Sequence, residues 1–184
     1  MDEAFGGEGE EVCSLCGEWV REAPVPQAIY AHRYEDGRGY FEELWKQGTW
    51  EIRWKQVNLS FSKEGVVRGL HFRKAKPEWK LVYCVSGEIE DYCVSLESRE
   101  SKTVLLGSGE PKGFTAGILI PPGWAHGFRA KKDSLVCYMV SEEYDPSDAC
   151  GVSPMDKTLD IPWLYSGGLI LSDQDKKWPC LDER

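Results

Sequence analysis

Three histidines carry most of the acid–base potential of this 184-residue chain: His32, His71 and His126. An imidazole can accept or donate a proton near neutral pH, or ligate a metal. His71 lies in Val67-Arg68-Gly69-Leu70-His71-Phe72. On a regular strand Arg68, Leu70 and Phe72 would face one way and Gly69 and His71 the other; a bulge at Gly69 would swing Arg68 round beside His71. His126 closes the run Pro121-Pro122-Gly123-Trp124-Ala125-His126. There Pro and Gly set a tight bend that delivers one imidazole at the start of a strand. On this pattern alone either ring serves equally well as a hydrogen-bonded structural histidine.

Seven cysteines stand at positions 13, 16, 84, 93, 137, 150 and 180. An odd number in a chain with no secretory signal argues against a disulfide framework. Cys13 and Cys16 form a CxxC pair, but structural zinc would need two further ligands, and neither a second CxxC nor an HxxxH exists. Cys84, Cys93 and Cys137 sit in strand-like runs and read as small buried hydrophobes. The PxGxxH pattern ending at His126 resembles a cupin signature, whose histidine often binds metal with an HxH pair and a Glu from an earlier strand. Here His71 is followed by Phe72-Arg73, and a three-histidine site would need His32, which sits beside Arg33. Metal has little support on that ground.

The elements that must position these groups read as β. Short runs rich in Val, Ile, Leu, Tyr and Cys recur over 28–34, 54–61, 66–72, 80–86, 88–96, 101–106, 117–120 and 134–140, separated by Gly, Pro and charged turns. Asp36–Gly39 is a turn, Tyr40–Trp50 has the spacing of a short helix or irregular segment, and Ser86-Gly87-Glu88 reads as a hairpin. Regular strand spacing predicts an all-β sandwich or barrel of the jelly-roll kind, with short peripheral helices. The Gly- and Glu-rich stretch 1–23 reads as a flexible leader, and 24–184 as a single domain whose Pro-, Asp- and Trp-rich tail wraps the barrel. With 41% hydrophobic and 29% charged residues the chain is globular. A formal net charge of -9 repels nucleic acid and anionic membranes, while an anionic small ligand fits wherever Lys and Arg gather in one pocket. No apolar run approaches the ~20 residues of a membrane helix. The acidic N-terminus has no signal-peptide features, so the expected location is cytoplasmic.

A set of segments then follows in a specific order: Asp36–Glu43 (DGRGYFEE), Gln56–Ser60 (QVNLS), Gly65–Phe72 (GVVRGLHF), Lys80–Val82 with Gly87 and Asp91, Ile120–Phe128, Tyr138 through Glu143-Tyr144-Asp145-Pro146, and Leu171–Asp175 (LSDQD). The ordered set resembles the dTDP-4-dehydrorhamnose 3,5-epimerases, the RmlC-type cupins, over about residues 28–178. The resemblance implies a cupin jelly roll and a cofactor-free epimerase, with neither metal nor nicotinamide. The implied substrate is a dTDP-linked 4-keto-6-deoxyhexose, whose ketone acidifies the C3 and C5 hydrogens. Such chemistry needs a base, a donor for the developing oxyanion, and an acid on the opposite face.

Carried over by position, the resemblance makes His71 the base, Asp175 the carboxylate that orients it, Lys80 the cation near the 4-keto oxygen, and Tyr138 the opposing acid. A phenol of ordinary pKa ~10 suits protonation of a much more basic enolate carbon. Arg38 and Arg68 match nucleotide- and phosphate-contacting arginines, whose guanidinium fork suits phosphate oxygens. Phe41, Glu43, Gln56 and Asn58 match positions of the nucleoside pocket, Asp91 a pocket acid, and His126 a second pocket histidine that positions substrate. Three positions depart from the family's usual residues: Arg73 stands where Gln is frequent, Ser95 where a second Asp follows, and Ile161-Pro162-Trp163 where Ile-Asp-Trp-Pro is usual. The family is dimeric, with N-terminal strands exchanged, which implies a homodimer here. Rival readings are a sugar-nucleotide ketoisomerase, a metal-dependent cupin oxygenase and a non-catalytic sugar-binding cupin.

Overall fold

The computed structural model describes residues 25–107, 109, 112–164 and 166–183. The expected leader, with Cys13 and Cys16, lies outside the described residues. The described chain forms β1 (Gln27–Asp36), β2 (Gly39–Glu42), β3 (Gln56–Ser62), β4 (Val67–Arg73), β5 (Lys80–Ser86), β6 (Ile89–Ser95), β7 (Ser101–Leu106), β8 (Phe114–Ile120), β9 (Trp124–Ala130), β10 (Ser134–Val140) and β11 (Ala149–Gly151). Two single-turn 3-10 helices, Asp175–Lys177 and Leu181–Glu183, follow. The strands build two antiparallel sheets in the orders β2-β1-β8-β5-β10-β3 and β11-β4-β9-β6-β7. This is the expected all-β cupin jelly roll.

Strand alternation explains three layers of core. In β5, Val82 and Cys84 point between the sheets and meet Ile118, Val136, Ile89, Cys93 and Phe128. Their neighbours Leu81 and Tyr83 point the other way, into a cluster with Ile29, Trp50 and Leu119 roofed by Leu44 and Trp45. The five-stranded sheet does the same: Leu70, Tyr92, Val94 and Ala125 leave its outer face and are covered by Val152, Leu159, Ile161, Trp163 and Leu181 of the tail. Trp163 is wholly buried, and its Nε1–H donates to the Pro154 carbonyl at 3.0 Å.

One local expectation changes, and one is narrowed to the irregular of its two forms. Ser86-Gly87-Glu88 does not close a hairpin, because β5 already has β8 and β10 on its two edges, so the chain crosses to the other sheet to start β6. Tyr40–Trp50 forms no helix: β2 pairs with β1, and the rest is irregular, its aromatic side chains packed on the six-stranded sheet.

The bulge at Gly69 is present. Arg68 pairs with Phe128 and His71 with His126, so β4 spends one more residue than β9 over the same interval. Gly69 has φ +136, and a Cβ there would stand 2.5 Å from the Gly127 Cα. Only glycine fits that crossing. The extra residue leaves Leu70 buried under the tail while Arg68 and His71 both reach the cavity between the sheets.

Candidate active site

A cavity of about 730 Å³ opens between the two sheets. His71 of β4 lies on one wall, and Tyr138 of β10 and Lys80 of β5 on the other, since β4 belongs to the five-stranded sheet and β5 and β10 to the six-stranded one. Arg68, His126, Gln56, Asn58 and Asp175 line the same space.

Asp175 comes from the tail, 104 positions after His71, and its Oδ1 lies 2.6 Å from His71 Nε2. Asp175 is held in two further ways: its backbone N–H donates to Ser172 Oγ at 3.0 Å, and its Oδ1 also accepts Trp178 Nε1–H at 3.2 Å. The Trp178 indole packs flat against Gly151, the register partner of His71, where a Cβ would overlap the ring. Burial pushes the Asp175 carboxyl up, but His71, Ser172 and Trp178 outweigh it and hold it below its ordinary value. An ionised Asp175 accepts the Nε2 hydrogen and leaves the lone pair on His71 Nδ1.

A second pair stands beside the first. His126 Nε2 lies 2.7 Å from Oδ2 of Asp91, whose side chain is fully buried. Asp91 is thus behind the wall, and reaches the cavity only through His126. His71 and His126 are cross-strand partners, yet each ring is engaged by its own aspartate. Among the described residues no three His, Cys, Asp or Glu side chains converge as a metal-ligand set.

Lys80 Nζ sits 3.3 Å from the His71 carbonyl oxygen, to which it donates, and 3.5 Å from Glu78 Oε1. Burial lowers its pKa, against the opposing pull of Glu78. The Tyr138 phenol is pushed up by burial. Arg68 is aimed by its Nε–H to Ser62 Oγ at 2.9 Å and its Nη2–H to the Phe61 carbonyl at 3.1 Å. Gln56 and Asn58 are joined through Gln56 Nε2–H to Asn58 Oδ1 at 2.6 Å, while Gln56 Oε1 accepts the Tyr144 N–H at 2.8 Å.

Arg38, Phe41 and Glu43 are not brought into this cavity. Arg38 is on the β1–β2 turn, exposed and paired with Asp36 at 2.5 Å. Phe41 and Glu43 border a shallower hollow that also includes Leu81 and Tyr83 of the outer face of the six-stranded sheet. Conversely, the cavity includes residues to which the sequence reading gave no role, Glu78 and Trp178 among them. Glu78 stands two positions before Lys80, the spacing at which strand neighbours share a face. That signal was available; Trp178 has none, because its place depends on the docked tail. The three departures are structural in different ways. Ser95 Oγ accepts the N–H groups of Glu97 and Ser98 and shapes the turn after β6. Trp163 is the largest buried side chain under the tail, and Arg73 is buried in a charge chain described below.

No helix among the described residues is long and apolar enough to cross a membrane. A family model described as dTDP-4-dehydrorhamnose 3,5-epimerase matches residues 26–183. The chain is 37% identical over 163 residues to the dTDP-4-dehydrorhamnose 3,5-epimerase of Methanothermobacter thermautotrophicus, covering 82% of this chain and 86% of that one. It is 36% identical over 128 residues to the dTDP-4-dehydrorhamnose 3-epimerase of Streptomyces niveus, covering 68% and 61% of the two chains. In structure it is similar to the dTDP-6-deoxy-D-glucose-3,5-epimerase of Legionella pneumophila, solved in complex with dTDP-4-keto-L-rhamnose. The TM-score there is 0.78 at 27% identity, over 85% of this chain and 88% of the other. A match that runs through both sheets and the tail, and a relative this similar over most of both chains, place the protein in the dTDP-4-dehydrorhamnose 3,5-epimerase family.

Proposed function

We propose that the protein epimerises C3 and C5 of a dTDP-4-keto-6-deoxyhexose without a cofactor. The observation that carries this reading is the placement of an aspartate-bound imidazole on one sheet and a phenol on the other, across one cavity. His71 Nδ1 takes the proton from the carbon next to the 4-ketone. The C–H electron pair becomes the enolate, and the charge on the former ketone oxygen is met by the Lys80 ammonium. Tyr138 then delivers a proton to the opposite face of that carbon, inverting it; the phenolate takes a proton from water, and the His71 imidazolium gives its proton to the hydroxide left behind, so both groups return to their starting forms. Because burial raises the Tyr138 pKa, the phenol is held protonated through neutral pH, ready to donate. Asp175 fixes the tautomer of His71 and stabilises the imidazolium that forms, the division of labour found in hydrolase triads. Arg68 is a fork for a diphosphate oxygen.

Incubation with a dTDP-4-keto-6-deoxyhexose in D2O tests the reading. Deuterium at both C3 and C5 supports it. Label at C3 alone selects the 3-epimerase activity named for the Streptomyces niveus relative, and label at neither position refutes both. A product with its carbonyl moved to C3 would identify a ketoisomerase.

The active species is proposed to be a homodimer. Support comes from the outer face of β3, where Val57, Leu59 and Phe61 are 63%, 65% and 57% exposed, and from the β1–β2 arm, which carries Arg38 and Phe41 away from the cavity of its own chain. In a strand-exchanged dimer that arm would serve the neighbouring subunit's cavity.

A further inference from the structure

We propose that Glu78 is a positioning residue: it aims the Lys80 ammonium into the cavity and keeps it charged for the reaction. The proposal deepens the epimerase reading and rests on it for the identity of the oxygen that Lys80 meets. Lys80 and Glu78 side chains are only 11% and 9% exposed, and Nζ stands 3.5 Å from Oε1. An ammonium removed from water has to be compensated by acceptors or an opposite charge. Among the described residues Lys80 finds one carbonyl, that of His71 at 3.3 Å, and one carboxylate in contact, that of Glu78.

The other charges around Lys80 do not substitute. On β6, Asp91 also pulls on the ammonium, but its carboxylate is committed to His126 at 2.7 Å. The Cys93 thiol beside it is pushed far up by burial and stays neutral. On β10, Tyr138 is a protonated phenol. Beyond Glu78 lie Arg73 and Glu142. Arg73 Nη1 is 3.9 Å from Glu78 Oε2, and Arg73 is itself clamped, with Nε–H to Asp148 Oδ2 at 3.0 Å and Nη1–H to the Glu143 carbonyl at 3.0 Å. Asp148 also collects the backbone N–H groups of Lys74, Ala75 and Lys76, and is held down to about 2. The result is a chain of alternating sign, Asp148–Arg73–Glu78–Lys80, that runs from the loop bonded to Asp148 to the cavity. Burial, with Glu142 beside it, leaves the Glu78 carboxyl above its ordinary value; Lys80 and Arg73 oppose that rise and favour the anion. Arg73, where the family more often has Gln, thus backs Glu78 from behind.

The decisive measurement is a 13C NMR titration of the lysine Cε signals in the full chain, with Lys80 assigned by the signal that Lys80→Arg removes. Glu78→Gln should move the Lys80 titration down by about one pH unit or more, the scale of an opposite charge in contact. Glu78→Asp, which keeps the charge one methylene further back, should move it down by less. In D2O exchange the alkaline limb of kcat should shift to lower pH by a matching amount, with KM changed less than kcat. A Glu78→Gln protein that melts like the parent and shows an unshifted Lys80 titration overturns the proposal. Should that variant fail to fold, an unshifted titration in Glu78→Asp overturns it equally. A parent chain with no exchange at C3 or C5 would instead refute the epimerase reading, while the titration still decides what Glu78 does to Lys80.

Discussion

A carbon acid gives up its proton only to a base whose lone pair is already aimed, so the nitrogen that Asp175 leaves free on His71 is the residue-scale fact with the largest kinetic consequence. Asp175 occupies Nε2, and no other described residue bonds Nδ1. His71→Ala should therefore lower turnover by ~10²-fold or more, the scale of a general base, with nucleotide-sugar binding nearly intact. A variant with parental kcat would remove His71 from the mechanism. Tyr138→Phe separates the two half-reactions. With His71 present the substrate should still lose its C3 hydrogen, and deuterium should wash in with retention, while inverted product falls. Equal losses of exchange and inversion would show that the phenol does not act as the second acid. Proton donation by Tyr138 should impose no fall in rate around neutral pH. Its acid form persists below its pKa, and burial moves that pKa above the ordinary phenol value.

At the scale of elements, the site depends on a tail that has little secondary structure of its own. Asp156 holds it. The fully buried carboxylate accepts the Leu181 N–H at 2.7 Å through Oδ2, and the Thr158 N–H and hydroxyl at 2.8 and 2.7 Å through Oδ1. Ser153 N–H reaches the Pro179 carbonyl at 2.8 Å, and Arg99 pairs with Asp182. Asp156→Ala leaves buried donors unmet, at about 1–3 kcal/mol, and should loosen the segment that carries Asp175 and Trp178. The expected outcome is faster tryptic cleavage at Lys176 and Lys177 together with a fall in kcat, although Asp156 does not line the cavity. Parental protection and parental activity in that variant would contradict the coupling. The strands themselves were legible, because alternation and turn residues mark them locally: β5, β7 and β10 begin and end where the sequence pattern places them. So was the bulge, since Gly69 between Arg68 and His71 is the residue that allows it. The crossing at Ser86-Gly87-Glu88 was not, because a hairpin and a sheet-to-sheet crossing use the same turn residues and differ only in which distant strands already hold the edges. His71 and Asp175 were legible as a pair only through a resemblance; nothing local to either says that the other will arrive. Glu78 and Trp178 went unread because their roles come from packing rather than from a motif.

For the whole molecule a strand that forms the site also carries an exposed apolar face. The inward residues of β3, Gln56, Asn58 and Ser60, line the cavity. Its outward residues, Val57, Leu59 and Phe61, are all more than half exposed. A strand at the edge of a sheet with such a face is a template for association unless it is covered. A second copy of the chain, as in the proposed homodimer, would cover it, and would give Arg38 and Phe41, which extend on the β1–β2 arm, a cavity to serve. Leu59→Lys puts a charge at the centre of that face without touching the cavity side of the strand. In light scattering the parent should run at twice the 20.9 kDa chain mass, and the variant should fall to one chain with β-sheet circular dichroism unchanged. Activity should fall with it, because an arm that serves a neighbour's cavity serves nothing in a monomer. Mixing Leu59→Lys with excess parent should recover part of the lost activity, since one charged face can still be met by an uncharged one. A variant that stays dimeric would move the interface elsewhere, and a fully active monomer would show that each cavity is complete without the arm.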